Sequence, residues 1–387
     1  MPQPRRAAGL CVLALATALI AAGCAAPPAA RPSAAAEEID ARIRFYTRKI
    51  EKSPRLYPVY VQLANAYLEK ARATSDPFWL AEARLAVARS TAIGGTYEAF
   101  VTSARIACYA HRFEDAIRWA RRAQGANPLE PDVAAILVEA YAALGADAEA
   151  RALLPPEGSA PTDFRTAAAL AGCLGSEGRY PDAARAYDAA AGLARTRGAR
   201  EATLWAEVMA AGALLDGGRP DLARPRLDAA RRRDPGDLLL RLHDAECLEA
   251  ERRPREALAV YERLLDERPA DPEIHARAWA LSRALGEDGL ARRHFEAAER
   301  AFRRPLAARE VYTLGALARL YCDAGVRLDE ALSLAEENLL YRHDREARTL
   351  IADVRMKLRP RPGVVAVSEV VRGQPHAHEG PFDCPEP

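Results

Sequence analysis

A repeat spacing of about 34 residues constrains this chain more than any other feature. In GGRPDLARPRLDAARRRDP (Gly217–Pro235), Ala223 is followed by Leu227, Ala230 and Pro235. The series returns one period later as Ala257, Tyr261, Leu264 and Pro269, and again as Ala291, Phe295 and Ala298. A fixed period of this size means stacked supersecondary units, none of which can bury its apolar face alone. Followed outward, the anchor alanines are Ala81, Ala116, Ala150, Ala183, Ala223, Ala257, Ala291 and Ala331. Their steps stay within one position of the period except for two longer ones, Ala183 to Ala223 and Ala291 to Ala331. A second small residue stands twelve before several of them, at Ala104, Ala171, Ala211 and Ala245. Between the two lies a turn, often Gly followed by an aromatic residue or Pro, as in GRYPDAA (Gly178–Ala184). Glycine supplies the positive φ that closes a first helix, and small residues let two helix axes approach.

The chain has 387 residues, beyond the roughly 250–300 at which a single core stops growing, so an array fits it better than one compact domain. Half of its residues are apolar and only 6% aromatic, which suits closely packed helices. The net charge is +1 and becomes −1 without Arg5 and Arg6, so charge does not point to nucleic acid as a partner.

HRFEDAIRWARRAQGANP (His111–Pro128) and RRPREALAVYERLLDERP (Arg252–Pro269) are similar to the second helix of the tetratricopeptide repeat, and VYVQLANAYL (Val59–Leu68) and LGALARLY (Leu314–Tyr321) to its first. The resemblance covers most of residues 37–340. It implies an all-α fold, a right-handed α-solenoid of helix-turn-helix repeats, with a concave surface that binds partner peptides or helices. Several positions depart from the pattern. Trp279 stands where a small residue is expected and Asp244 where leucine is usual; Pro155-Pro156 cuts one repeat short. The two long intervals imply longer helices or loops near Arg195–Thr203 and Arg303–Glu310. The solenoid is expected to span 37–360. Ile39, Ile43, Tyr46 and Ile50 mark an N-terminal capping helix, and Ala347, Leu350, Ile351 and Val354 a C-terminal one over Asp344–Lys357. In the first repeat, Tyr60, Leu63, Ala64 and Tyr67 share a helix face. A long loop over Arg72–Pro77 is expected next, and then Ala81, Leu85 and Ala88 on a second helix.

Residues 1–23 read as a targeting segment: Arg5 and Arg6, an apolar run from Ala7 to Ala22, then Gly23-Cys24. Sixteen apolar residues fall short of the ~20 that span a bilayer. IAAGC resembles a bacterial lipobox, which implies a lipoprotein signal peptide with lipid attached to Cys24, and Ala21 departs from the usual leucine. The expected address is the cell envelope, lipid-anchored to a membrane, on the periplasmic side if the source is Gram-negative. Residues 24–36, rich in Ala and Pro, read as a flexible linker, and 361–387 as a C-terminal tail. Cys108, Cys173, Cys247 and Cys322 fall in first helices of alternate repeats, too far apart to bridge, and are expected to be buried and unpaired.

Repeat phase places Val101, Arg105, Tyr109, Ala135, Glu139, Ala168, Gly172, Trp205, Val208, Gly212, Leu242, Glu246 and Ala276 on the concave face. Of these, Val101, Arg105, Tyr109, Glu139, Trp205, Leu242 and Glu246 are the candidate partner groove; Tyr109 and Trp205 have the alternative of packing at a repeat junction. The lysine/asparagine clamp that chaperone-binding members of the family use for a C-terminal carboxylate is missing from the matching positions. No phosphate-binding glycine loop or nucleophile elbow is present, so no enzyme, catalytic residue or cofactor is expected. The alternative function is metal handling in the envelope through His376, His378 and Cys384 of the tail, although their spacing matches no closed zinc pattern, and no metal site is assigned. The expected function is a membrane-anchored scaffold for protein–protein interaction, with other proteins as partners and neither nucleic acid nor a small-molecule substrate.

Overall fold

The computed structural model describes residues 34–128, 132–156 and 159–359. The leader, Cys24, most of the linker, and the tail with His376, His378 and Cys384 lie outside the described residues. Those residues are helical with short turns, and contain no strand. Helix α1 (Ala34–Lys52) precedes the array. The pairs are α2 (Tyr57–Thr74) with α3 (Pro77–Ile93), α4 (Tyr97–Tyr109) with α5 (Phe113–Ala126), and α6 (Asp132–Ala143) with α7 (Asp147–Ala152). Next come α8 (Phe164–Ser176) with α9 (Tyr180–Thr196), α10 (Arg200–Asp216) with α11 (Pro220–Arg231), and α12 (Leu238–Ala250) with α13 (Pro254–Glu267). The last pairs are α14 (Pro272–Ala284) with α15 (Asp288–Ala307) and α16 (Leu314–Ala324) with α17 (Leu328–Asn338), and α18 (Arg345–Leu358) ends the array.

The anchor alanines explain the stacking. Ala116, Ala150, Ala183, Ala223, Ala257 and Ala331 are wholly buried, as are Ala104, Ala171, Ala211 and Ala245 twelve positions upstream. The turn inside six of the eight pairs follows from the same phase. Five positions before an anchor stand His111, Gly145, Gly178, Gly218, Arg252 and Gly286, all at positive φ. The next residue's N–H donates five positions back, as in Arg179 to Leu174 O at 2.9 Å and Arg253 to Leu248 O at 2.9 Å. This is the Schellman closure of an α-helix, and it satisfies carbonyls the helix would leave orphaned. His111 and Arg252 hold the glycine position without being glycine. Asp163, Asp237, Asp271 and Asp344 cap the N-termini of α8, α12, α14 and α18 through their carboxylates.

The first repeat differs from expectation. Ala81 and Ala88 are exposed and Leu85 is 65% exposed, whereas Leu80, Ala83, Ala86, Val87 and Ser90 are buried. The anchor is therefore Ala83, which stands one repeat before Ala116. Helix α3 is apolar on two faces, and periodicity alone selects either. The loop expected over Arg72–Pro77 is helical as far as Thr74, with only Ser75 and Asp76 between α2 and α3.

The other irregularities are absorbed by longer elements. The first long interval is taken up by α9 and α10, at 17 residues each, and the second by α15, at 20. Trp279 is buried at its small-residue position. Asp244 is held by Arg224 Nη1 at 2.9 Å and Arg231 Nη2 at 2.6 Å. Cys108, Cys173, Cys247 and Cys322 are buried and unpaired. Ala347, Leu350, Ile351 and Val354 of α18 are buried.

The path of the array brings its two ends together. Arg84 on α3 forms a two-pronged ion pair with Glu310, Nη2 to Oε2 at 2.9 Å, across 226 residues. Arg304 reaches Asp76 at 2.6 Å. His343 N–H donates to Ala143 O at 2.8 Å, and the Tyr312 ring lies 5.3 Å from Tyr109. Gly145, at φ +66, lies where a Cβ would be 2.8 Å from His343 O. The solenoid thus closes across a seam between α3–α6 and the α15–α18 region, and its concave face becomes the wall of a lumen.

Candidate binding site on the inner face

The lumen holds a cavity of about 250 Å3 lined from both sides of the seam. Arg72, Arg105, Tyr109, His111, Ile136 and Glu139 come from the N-terminal repeats, and Glu273, Phe302, Tyr312, Arg342 and Glu346 from the C-terminal ones. With Ala83 as the anchor, Arg72, Arg105 and Glu139 occupy one repeat position, eleven before Ala83, Ala116 and Ala150. Arg72 was missed because the α3 phase was two positions out. The corrected phase puts it in the column of Arg105 and Glu139.

Of the seven groove residues expected from sequence, Arg105, Tyr109 and Glu139 line this cavity. Val101 and Leu242 are instead buried in the stacking clusters, at 4% and 8% exposure. Trp205 packs edge-on to Phe164 at 5.7 Å and Tyr187 at 5.8 Å, at a junction between repeats. These three are corrections: Val101 and Leu242 stand one turn before Arg105 and Glu246, and Trp205 two turns before Gly212, and there the first helix packs against its neighbours, so the side chains are taken up by stacking. Glu246 belongs to a separate ion cluster of the inner face. It accepts from Arg277 Nη2 at 3.1 Å and meets His243 Nδ1 at 2.7 Å. His243 occupies the space above Gly212, where a Cβ would lie 2.7 Å from its Cε1. That close approach accounts for glycine at 212.

Enclosure dominates the electrostatics. Burial lowers the Arg72 guanidinium below its usual range, with Tyr109 and Glu139 partly offsetting this. Burial raises Glu139 against the pull of Arg72 and Arg342. Glu273 is pushed up to about 8 by burial and by Asp271, and Asp216 to about 7 by burial and Glu246. His111 is held down at about 3 by burial and Arg342 and is therefore neutral. At Glu246 burial opposes ionisation, but His243 and Arg277 outweigh it and hold the carboxyl at about 2. Taking a charge out of water is costly unless a partner offsets it.

Most luminal charges have partners: Arg319 pairs with Asp353 and Arg342 with Asp344. Arg72 and Glu139 make no ion pair or hydrogen bond through their side chains among the described residues. Arg72 lies 5.6 Å from the Tyr109 ring, and its Nε and the Nδ1 of His111 are buried without a hydrogen-bond partner. No group of three or more His, Cys, Asp and Glu among the described residues is placed to hold a metal ion. No described helix is long and apolar enough to cross a membrane.

Residues 214–280 match the family model of the tetratricopeptide repeat. The helices over these residues, α11 to α14, are tetratricopeptide repeats. Such solenoids are scaffolds for protein–protein interaction and typically not catalysts. No curated protein matches the sequence. Among solved structures, the chain is similar to Pseudomonas aeruginosa pilF at 14% identity, over 63% of this chain and 90% of that one, with a TM-score of 0.34. A tetratricopeptide repeat protein from Parabacteroides merdae matches at 11% identity over 77% and 98%, with a TM-score of 0.35. The human IFIT1 dimer with PPP-AAAA matches at 14% over 83% and 88%, with a TM-score of 0.43.

Proposed function

We propose that this protein is a cell-envelope scaffold, tethered to a membrane by lipid on Cys24, that holds an extended segment of a partner protein against its inner face. The observation that carries this reading is the convergence of Arg72, Arg105, Tyr109 and Glu139 on one enclosed cavity. Successive repeats supply the same position there, and a segment running across them meets a charge or an aromatic ring from each. An extended segment suits this reading because its successive side chains point to opposite sides, so alternate ones can enter the cavity while the backbone runs across the repeats. The tether rests on the leader, the lipobox-like IAAGC and the Ala/Pro-rich stretch after Cys24.

Photo-crosslinking in the native envelope tests the scaffold. A photoactivatable residue at Arg105 or Glu139 should yield discrete protein adducts, and one at Met356, exposed on the far side of α18, should not. Absence of adducts at both luminal positions, or equal adducts at all three, would remove the reading. In the same cells Cys24→Ser should abolish fatty-acid labelling and release the protein to the soluble fraction.

A further inference from the structure

The lumen contains an unpaired cation and an unpaired carboxylate in one cavity. The Arg72 guanidinium lies by the Tyr109 ring with its Nε unsatisfied. Glu139 faces the same space with no ion-pair partner, close enough to Arg72 for each charge to stabilise the other. Both keep partial contact with solvent, so a ligand can reach them. The rest of the wall is largely apolar, from Ile136, Ala143 and Phe302. A buried ion without a partner is costly, and a ligand that supplies the missing counter-charge recovers that cost.

The sign of the ligand follows from elimination. A simple anion on Arg72 would also meet Glu139. A simple cation on Glu139 would also meet Arg72 and Arg342. Only a molecule carrying both charges, with an apolar body between them or beside them, satisfies the two unpaired groups without opposing either. We propose that the lumen is a binding site for a short zwitterionic peptide, its carboxylate on Arg72 and its ammonium on Glu139, its side chains against the apolar wall. This goes beyond the scaffold reading and shares with it only the premise that the lumen is a binding surface. A small ligand and a protein segment are different occupants, and their tests fail separately.

The test is isothermal titration calorimetry of the full-length protein with the dipeptide Ala-Phe, its N-acetylated form and its C-terminal amide. Ala-Phe should bind, and each blocked form should bind at least tenfold more weakly. Arg72→Gln should weaken Ala-Phe by at least tenfold while leaving the amide's affinity unchanged, and Glu139→Gln should do the converse with the acetylated form. Circular dichroism and the thermal midpoint report whether each variant is folded. If one variant fails to fold, the blocked peptides on the native protein still decide the matter. No binding of Ala-Phe, or equal binding of the three peptides, would overturn the proposal whatever the crosslinking result.

Discussion

The residues that set the shape of this molecule are small, and those that set its chemistry are charged. Alanine at the anchors and at the positions twelve before them brings helix axes together. Glu273 shows what enclosure does to a charge. Its carboxyl is pushed up to about 8 by burial, and the neighbouring Asp271 adds to the shift. A carboxyl whose folded value lies above its unfolded one holds its proton more tightly when folded. Its contribution to stability is intact below its ordinary value of about 4.5 and is lost as pH rises toward 8. Glu273→Gln, which imitates the protonated form, should match wild type in urea unfolding at about pH 4.5 and exceed it at pH 8. A variant less stable than wild type at pH 8 would show that the ionised carboxylate has a stabilising partner. At this scale the sequence made Arg105, Tyr109 and Glu139 legible through repeat phase. It could not separate Val101, Leu242 and Trp205 from them, because on a first helix the luminal and stacking positions lie only one or two turns apart.

At the scale of the element, most boundaries follow from the period, and the exceptions have physical causes. Turns were readable because in six pairs the residue five before the anchor adopts positive φ, including His111 and Arg252. Helix α3 was misread because it carries apolar residues on two faces: Phe78 and Leu85 are exposed at 55% and 65%, while Leu80, Ala83 and Val87 are buried. A single substitution on each face separates the phases. Ala83→Leu should overpack the junction of α2 and α3 and cost about 1–3 kcal/mol. Ala81→Leu should stay within about 0.5 kcal/mol of wild type. Denaturant unfolding of the two variants measures the difference, and the reverse order would restore Ala81 as the anchor. The two long intervals could be counted in the sequence but not assigned to helix or loop. In the structure the lengthening lies in α9, α10 and α15, where Gly198 and Arg309 at positive φ close the extended helices.

The whole molecule has a property that no repeat has by itself. Each repeat adds a small rotation, and the sum brings Arg84 to Glu310 and Asp76 to Arg304, pairs from opposite ends of the array. Closure was not legible in the sequence, because rotation per repeat depends on how individual side chains pack and the seam residues share no motif. It changes what the concave face presents: walls from both ends of the array line one cavity. The seam combines an ion pair around the buried Glu310 with the backbone hydrogen bond from His343 to Ala143 and the Tyr312–Tyr109 contact. Leu85 and Arg309 are exposed, and each adjoins one partner of the Arg84–Glu310 pair. The most direct test of closure is pulsed electron paramagnetic resonance between spin labels at Leu85→Cys and Arg309→Cys, with Cys11, Cys24 and Cys384 replaced by serine and the buried cysteines left in place. Closure predicts one short, narrow distance distribution. A broad distribution at long distance would mean an open solenoid and contradict the enclosed binding surface.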